Sequence, residues 1–292
     1  MVPIHSPRPR LQNVPFHLPH TFTAYERLTN SKHLQVAMLG PHGLAWPWES
    51  LHIEAPAWFD HWFKGQDTGI LDGSHFRYIL PEAEGWRTTD AWPVREALHR
   101  AYALRANGAL SEDEGEAGSR TYMNLGAGLN RPRASETDPP AFLHWTTSPL
   151  PHDLDLIGPI ELRLDATCTA PDAAFIAVLQ DVDTNENAVN VTAGYLRASL
   201  RAVDEGASKP GAPVLPCRTF EAVPIGENVS YRIPLVPNAR RFRAGHTLRL
   251  YLTTDDQNAD RPALLGFRHA SIGTSSFNTV FSSSRLLLPI LR

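Results

Sequence analysis

A histidine stands in the turn Gly40-Pro41-His42-Gly43, directly after the apolar run Leu34-Gln35-Val36-Ala37-Met38-Leu39. A short, largely unbroken apolar run is the pattern of a fully buried strand in a parallel sheet. Ligands and catalytic groups gather at the carboxyl edge of open α/β sheets. An imidazole held there, with a pKa near working pH, could serve as a general base. The alternative for His42 is a histidine that merely caps a turn, one of 13 in the chain. Asp181, Asp183 and Glu186 could place oxygens around a calcium ion, but their spacing follows no known loop and a hydrogen-bonded turn is the favoured reading. Gly126-Ala127-Gly128 lacks the strand and helix flanks of a phosphate-binding loop. Cys168 and Cys217 are the only cysteines, and neither has a Cys-x-x-Cys partner. Cys168 falls on the inward parity of a strand, where it reads as a small hydrophobe. No cofactor and no metal site is expected.

The elements that must carry these groups are mostly strands. From Ile160 to Cys168 every even position is apolar or small and every odd one polar, the period of a half-buried antiparallel strand. Ala174 to Val182 is apolar on both parities, as in an interior strand that runs into a polar turn. A third strand follows: Val189, Val191 and Ala193 keep one parity and Leu196, Ala198 and Leu200 the other, with the expected bulge at Gly194. Tyr231, Ile233 and Leu235 alternate, as do Leu248, Leu250 and Leu252, and later Leu286, Leu288 and Ile290. Strands this far apart in the chain pair or stack across long connections, which predicts a Greek-key or jelly-roll sandwich. Val14 to Leu18 reads as a weak strand. From Leu51 to Lys64, Trp58, Phe59, Trp62 and Phe63 recur at helical spacing, Asp60 and Lys64 stand four apart, and Gly65 closes the helix. The aromatic stripe reads as core packing, with substrate contact as the alternative. Residues 112–116, 130–140, 203–216 and 255–262 read as polar loops.

The chain has 292 residues and a net charge of −4 with no basic field, so neither nucleic acid nor an anionic membrane surface is an expected partner. No apolar run approaches the roughly 18 residues that span a bilayer. The stretch from Met1 to Pro19 holds five prolines and no apolar run of signal-peptide length, so a cytoplasmic location is expected.

Six ordered motifs carry a family resemblance: Trp58-Phe59-Asp60-His61-Trp62-Phe63-Lys64-Gly65; Gly85-Trp86-Arg87 with Trp92-Pro93; Ser148-Pro149-Leu150 with Gly158-Pro159; Gly194-Tyr195-Leu196-Arg197-Ala198-Ser199; Phe242-Arg243-Ala244-Gly245-His246-Thr247-Leu248-Arg249-Leu250; and Ser284-Arg285-Leu286-Leu287-Leu288-Pro289. From about Leu34 onward the chain resembles the CocE/NonD hydrolases, which share their C-terminal domain with the Xaa-Pro dipeptidyl-peptidases. The resemblance implies a mainly β fold: residues 75–292 as a galactose-binding-like jelly-roll sandwich, preceded over 1–74 by the C-terminal remnant of an α/β-hydrolase domain. It also implies a Ser-Asp-His triad whose histidine lies in a Gly-Pro turn, the context of His42. His52, His61 and His246 read as structural or surface residues.

The departures from that pattern weigh as much as the match. A nucleophile elbow reads Gly-x-Ser-x-Gly between a strand and a helix, and this chain has no such pentapeptide. The triad acid should precede His42, yet no Asp occurs before Asp60, and Glu26 is the only acid before Glu49. Loss of a triad serine costs about 10⁶ in turnover. The expectation is therefore the C-terminal part of a serine hydrolase of the acyl esterase or dipeptidyl-peptidase kind, incomplete as a catalyst alone. Its substrate would be a small acyl ester or peptide once an upstream hydrolase segment completes it. A homo-oligomer is compatible with the sequence. The competing expectation is a non-catalytic jelly-roll binding or interaction module.

Overall fold

The computed structural model describes residues 14–36, 49–80, 83, 85–124, 139–254 and 275–291. A small sheet comes first. Strand β1 (Leu34–Val36) pairs in parallel with β2 (Phe76–Ile79), and β2 pairs antiparallel with β3 (Trp86–Thr89). Helix α1 (Val14–Arg27) replaces the weak strand expected at Val14 to Leu18. Pro15 and Pro19 obscure the helix in the sequence, and tertiary packing explains it. Phe22 and Tyr25, one turn apart, are buried. Phe22 stacks on Trp92 with ring centroids 4.0 Å apart, and Tyr25 meets Phe76 at 5.8 Å. Helix α2 (Glu49–Lys64) agrees with expectation, including the Asp60–Lys64 ion pair at 2.6 Å. Gly65 ends it at φ +66°, where its N–H and that of Gln66 donate to the His61 and Asp60 carbonyls. The aromatic stripe departs from its expected role. Trp58 is half-buried, but Phe59, Trp62 and Phe63 face solvent.

The main body is an 11-stranded antiparallel sheet. Its strands are β4 (Ala97–Leu104), β5 (Leu110–Ser111), β6 (Ser119–Asn124), β7 (Phe142–Thr146), β8 (Leu154–Cys168), β9 (Ala174–Val182), β10 (Ala188–Arg197), β11 (Val229–Phe242), β12 (Thr247–Thr253), β13 (Ser276–Phe281) and β14 (Arg285–Leu291). Their lateral order is β5-β4-β14-β8-β11-β10-β9-β12-β7, and β13 branches from β8 to carry β6. The two ends of the path meet. Ala109 bridges to Thr146, the Thr146 N–H donates to the Gly108 carbonyl at 3.0 Å, and Trp145 Nε1 donates to the Arg105 carbonyl at 2.9 Å. The sheet is thus a nearly closed barrel around one large apolar core.

The alternation read from the sequence places that core. Ile160, Leu162, Leu164, Ala166 and Cys168 are all buried in it, as are Tyr231, Ile233, Leu235, Leu248, Leu250, Leu252, Leu286, Leu288 and Ile290. Strand β9 is apolar on both parities because its second face is also covered: Ile176 and Val178 pack with Ala193 and Tyr251, and Phe142 lies against them.

Two details of β10 differ from expectation. The register shift falls between Asn190 and Thr192, leaving Val191 as the extra residue, and Gly194 pairs in regular register with Ala177. Gly194 serves close approach instead, since a Cβ there would lie 2.5 Å from the Pro234 carbonyl oxygen on β11. Residues Ala198 to Leu200 form a 3-10 turn and do not extend the strand.

Candidate functional site

His42 belongs to residues 37–48, outside the described residues, so the structure speaks to its flanks. On one side β1 lies in register with β2, Leu34 opposite Phe76 and Val36 opposite Tyr78. On the other, α2 leans on the same small sheet. The His33 and His75 imidazoles meet at 3.1 Å between Nε2 and Nδ1, and the His33 ring lies 5.5 Å from Trp58 of α2. Glu54 of α2 is ion-paired with Arg77 of β2, whose guanidinium also sits 4.8 Å over the Trp86 ring. Burial lowers the His33 pKa from its ordinary 6.5, His75 lowers it further, and Glu54 opposes both. The His33 imidazole therefore favours its neutral state, with one donor and one acceptor nitrogen. This cluster fixes β1, which precedes residues 37–48 in the chain, against α2, which follows them.

An open cavity of about 390 Å³ lies where the small sheet meets the end of β14, lined in part by Tyr78, Arg87, Asp90, Arg95, Glu96 and Leu291. Two cationic and two anionic side chains share it, which suits polar contact without a net field.

The acidic groups singled out in the sequence serve as structure. The Asp183 carboxylate accepts from the backbone N–H groups of Asn185 and Asn187 at 2.8 and 2.9 Å and from the Asn187 side chain at 2.9 Å. Those bonds, the Asn187 side chain first, hold its pKa below the ordinary carboxylate value. Glu186 turns the chain at φ +64°. Asp181 is spoken for by Arg240 and by His246, whose Nδ1 lies 2.8 Å from its Oδ1. Cys168 is buried, as its parity predicts, and burial raises its thiol pKa.

Hydroxyl–carboxylate and imidazole–carboxylate pairs occur among the described residues, but they use different carboxylates. Ser199 donates to Asp172 at 2.9 Å, and Ser230 and Ser283 donate to Asp165 at 2.5 and 2.6 Å. The imidazole–carboxylate pair is His246 with Asp181. The Asp181–His246–Arg240 association was not read from the sequence. Its signal was present, since an aspartate at the end of an otherwise apolar interior strand requires a buried partner.

The profile of the X-Pro dipeptidyl-peptidase C-terminal non-catalytic domain matches residues 68–264. The chain belongs to that family. It carries the domain in the CocE/NonD form that the motifs suggested. Over 221 residues it is 29% identical to a Mycobacterium tuberculosis protein named as a serine esterase, covering 68% of this chain and 35% of that one. It is 32% identical over 133 residues to a Streptomyces avermitilis protein named as an Xaa-Pro dipeptidyl-peptidase, covering 43% of this chain and 19% of that one. The fold is that of a CocE/NonD family hydrolase from Staphylococcus aureus, with a TM-score of 0.77 at 18% identity, over 93% of this chain and 51% of that chain. An α-amino acid ester hydrolase superposes with a TM-score of 0.61 at 15% identity, over 81% of this chain and 44% of that one. The chain thus spans about a third of the length of its mycobacterial relative.

Proposed function

We propose that this chain is the C-terminal portion of a CocE/NonD-type serine hydrolase, one that cleaves a small acyl ester or peptide when joined by a hydrolase segment. In this reading residues 75–292 form a galactose-binding-like jelly roll that walls the acyl pocket, and residues 1–74 are the C-terminal remnant of an α/β-hydrolase domain. His42 is the general base, relaying the proton between a serine hydroxyl and the leaving group. The observation that carries the proposal is the match of a non-catalytic domain profile over residues 68–264, in a chain whose sequence has no Gly-x-Ser-x-Gly elbow.

Two structural features support it. The parallel β1–β2 pair with α2 between its strands in the chain is the kind of unit an α/β sheet is built from. Phe59, Trp62 and Phe63 face outward on α2, and an apolar arc of that kind marks an interface.

Fluorophosphonate labelling and p-nitrophenyl acetate turnover test the proposal. The 292-residue chain alone should take no label and turn over no ester. A chain extended by an in-frame α/β-hydrolase segment should do both, and His42→Ala should abolish its turnover. Labelling of the 292-residue chain itself, or undiminished turnover in the His42→Ala variant, overturns the assignment.

A non-catalytic binding module is the second reading, favoured by the same outward aromatic arc. Saturable glycan-array binding without esterase activity in the extended chain would select it.

A further inference from the structure

We propose that His33 and His75 form a binding site for a divalent transition-metal ion of the zinc kind. They are 42 residues apart in the chain, so no ligand spacing in the sequence marks them. The backbone brings them together. Leu34 is the register partner of Phe76 in the parallel β1–β2 pair, and the Leu34 N–H donates to the His75 carbonyl at 2.8 Å. One residue back along both strands, His33 stands beside His75.

The side chains meet by their edges. His33 Nε2 lies 3.1 Å from His75 Nδ1, with the ring centroids 4.9 Å apart and the planes tilted by 53°. Zinc binds imidazole nitrogen at about 2.0–2.1 Å, and a tetrahedral site therefore holds two such nitrogens about 3.3–3.4 Å apart. The observed separation is within a few tenths of an ångström of that edge. In the metal-free pair one of the two facing nitrogens carries a hydrogen and donates to the other. When the ion enters, that proton moves to the other nitrogen of its own ring, so both facing lone pairs become ligands.

The surroundings suit a cation. His75 is exposed and His33 half-buried, so an ion from solvent reaches both. Arg77, two residues along β2 from His75, has its charge met by Glu54. The Lys32 ammonium is turned to the Tyr25 and Leu28 carbonyls and to the face of the Tyr25 ring. Among the described residues no His, Cys, Asp or Glu makes up a group of three, so water completes the coordination sphere. Imidazole ligands favour zinc, copper or nickel over magnesium or calcium, which take oxygen. Both histidines precede their strands, whereas His42 follows β1. The ion braces the amino-terminal edge of the small sheet, where the His33 ring also meets Trp58 of α2, and takes no part in hydrolysis.

Zinc titration calorimetry and anomalous diffraction test the site. The untagged 292-residue chain should bind zinc chloride at this site, and His33→Gln and His75→Gln should each weaken that binding by about tenfold or more, since even the loss of an outer partner of a metal ligand costs that much. Zinc should raise the thermal midpoint of the wild-type chain more than that of either variant. Crystals of the wild-type chain soaked in zinc chloride need no variant: an anomalous peak at about 2.0–2.1 Å from both His33 Nε2 and His75 Nδ1 is expected. That peak, with weakened binding in both variants, supports the proposal. No zinc bound, zinc only at other histidines, or a variant that binds as tightly as the wild type overturns it.

Discussion

Asp181 and His246, 65 residues apart in the chain, meet at 2.8 Å between Oδ1 and Nδ1, while the other Asp181 oxygen takes Arg240 Nη2 at 2.6 Å and Nε at 3.1 Å. One carboxylate, 2% exposed, thus joins the end of β9 to β11 and to the turn before β12. The His246 carbonyl, in turn, accepts from the Leu150 N–H at 2.8 Å.

Removing that carboxylate leaves Arg240 without its partner in a largely buried setting. Asp181→Ala is expected to lower stability by about 3–5 kcal/mol. His246→Gln should cost about 0.5–1.5 kcal/mol, the worth of one hydrogen bond. Urea midpoints measure both, and equal losses would mean that Arg240 does not depend on Asp181.

Glu161 is another buried anion, 0% exposed. It takes Arg232 Nε at 2.6 Å and the Gly211 N–H at 3.2 Å, so it fastens the 203–216 loop to the outside of β8. Its hydrogen bond is the main cause that raises the Arg232 pKa. Glu161→Ala should cost about 3–5 kcal/mol and expose the loop to proteases. Limited proteolysis followed by mass spectrometry should place new cleavages within 203–216; an unaltered cleavage map would rule out this anchoring role.

Gly194→Ala adds a Cβ that would lie 2.5 Å from the Pro234 carbonyl oxygen. The obstruction is backbone and cannot swing aside, so β10 and β11 must separate locally. A loss of about 1–3 kcal/mol is expected, with faster hydrogen exchange confined to the β10–β11 pair. A wild-type thermal midpoint would show that the two strands yield freely.

His33 supplies a pH dependence. Burial first, and His75 next, lower its pKa below 6.5 in the folded state. Between that lowered value and about 6.5 the unfolded chain binds a proton that the folded chain lacks. Stability is therefore full above about pH 6.5 and is lost as the pH falls through the window beneath it. His33→Gln should flatten this part of the stability–pH curve. Tryptophan fluorescence during urea unfolding at about pH 5 and pH 7.5 measures it, because Trp58 adjoins His33. An identical slope in the variant would remove His33 from the account.

Much of the body was legible because strand alternation is a local property. The limits of β9 match the apolar run Ala174 to Val182. The inward positions of β8, β11, β12 and β14 were each named by parity, since one face of each strand meets the core. Where two surfaces compete, parity failed. The bulge in β10 moved to Val191 because Gly194 is needed for contact with β11. Helix α1 was hidden by its prolines, and packing of Phe22 and Tyr25 against Trp92 and Phe76 decided it. The α2 stripe has helical spacing in the sequence, but spacing does not say which side of a helix is covered; Trp58 turns to the small sheet and Phe59 and Phe63 to solvent.

From the sequence alone came the mainly β character, the strands that face the core, the family motifs and the lack of a nucleophile elbow, because each rests on residue type and short-range spacing. Tertiary structure decided what spacing cannot encode: that the ends of a nine-strand path meet at Ala109 and Thr146, that Asp181 belongs to His246 and Arg240, and that Glu161 holds a distant loop. These contacts join residues from separate parts of the chain, and their energy comes from excluding water around a paired charge or a backbone group. That exclusion exists only once the barrel has closed.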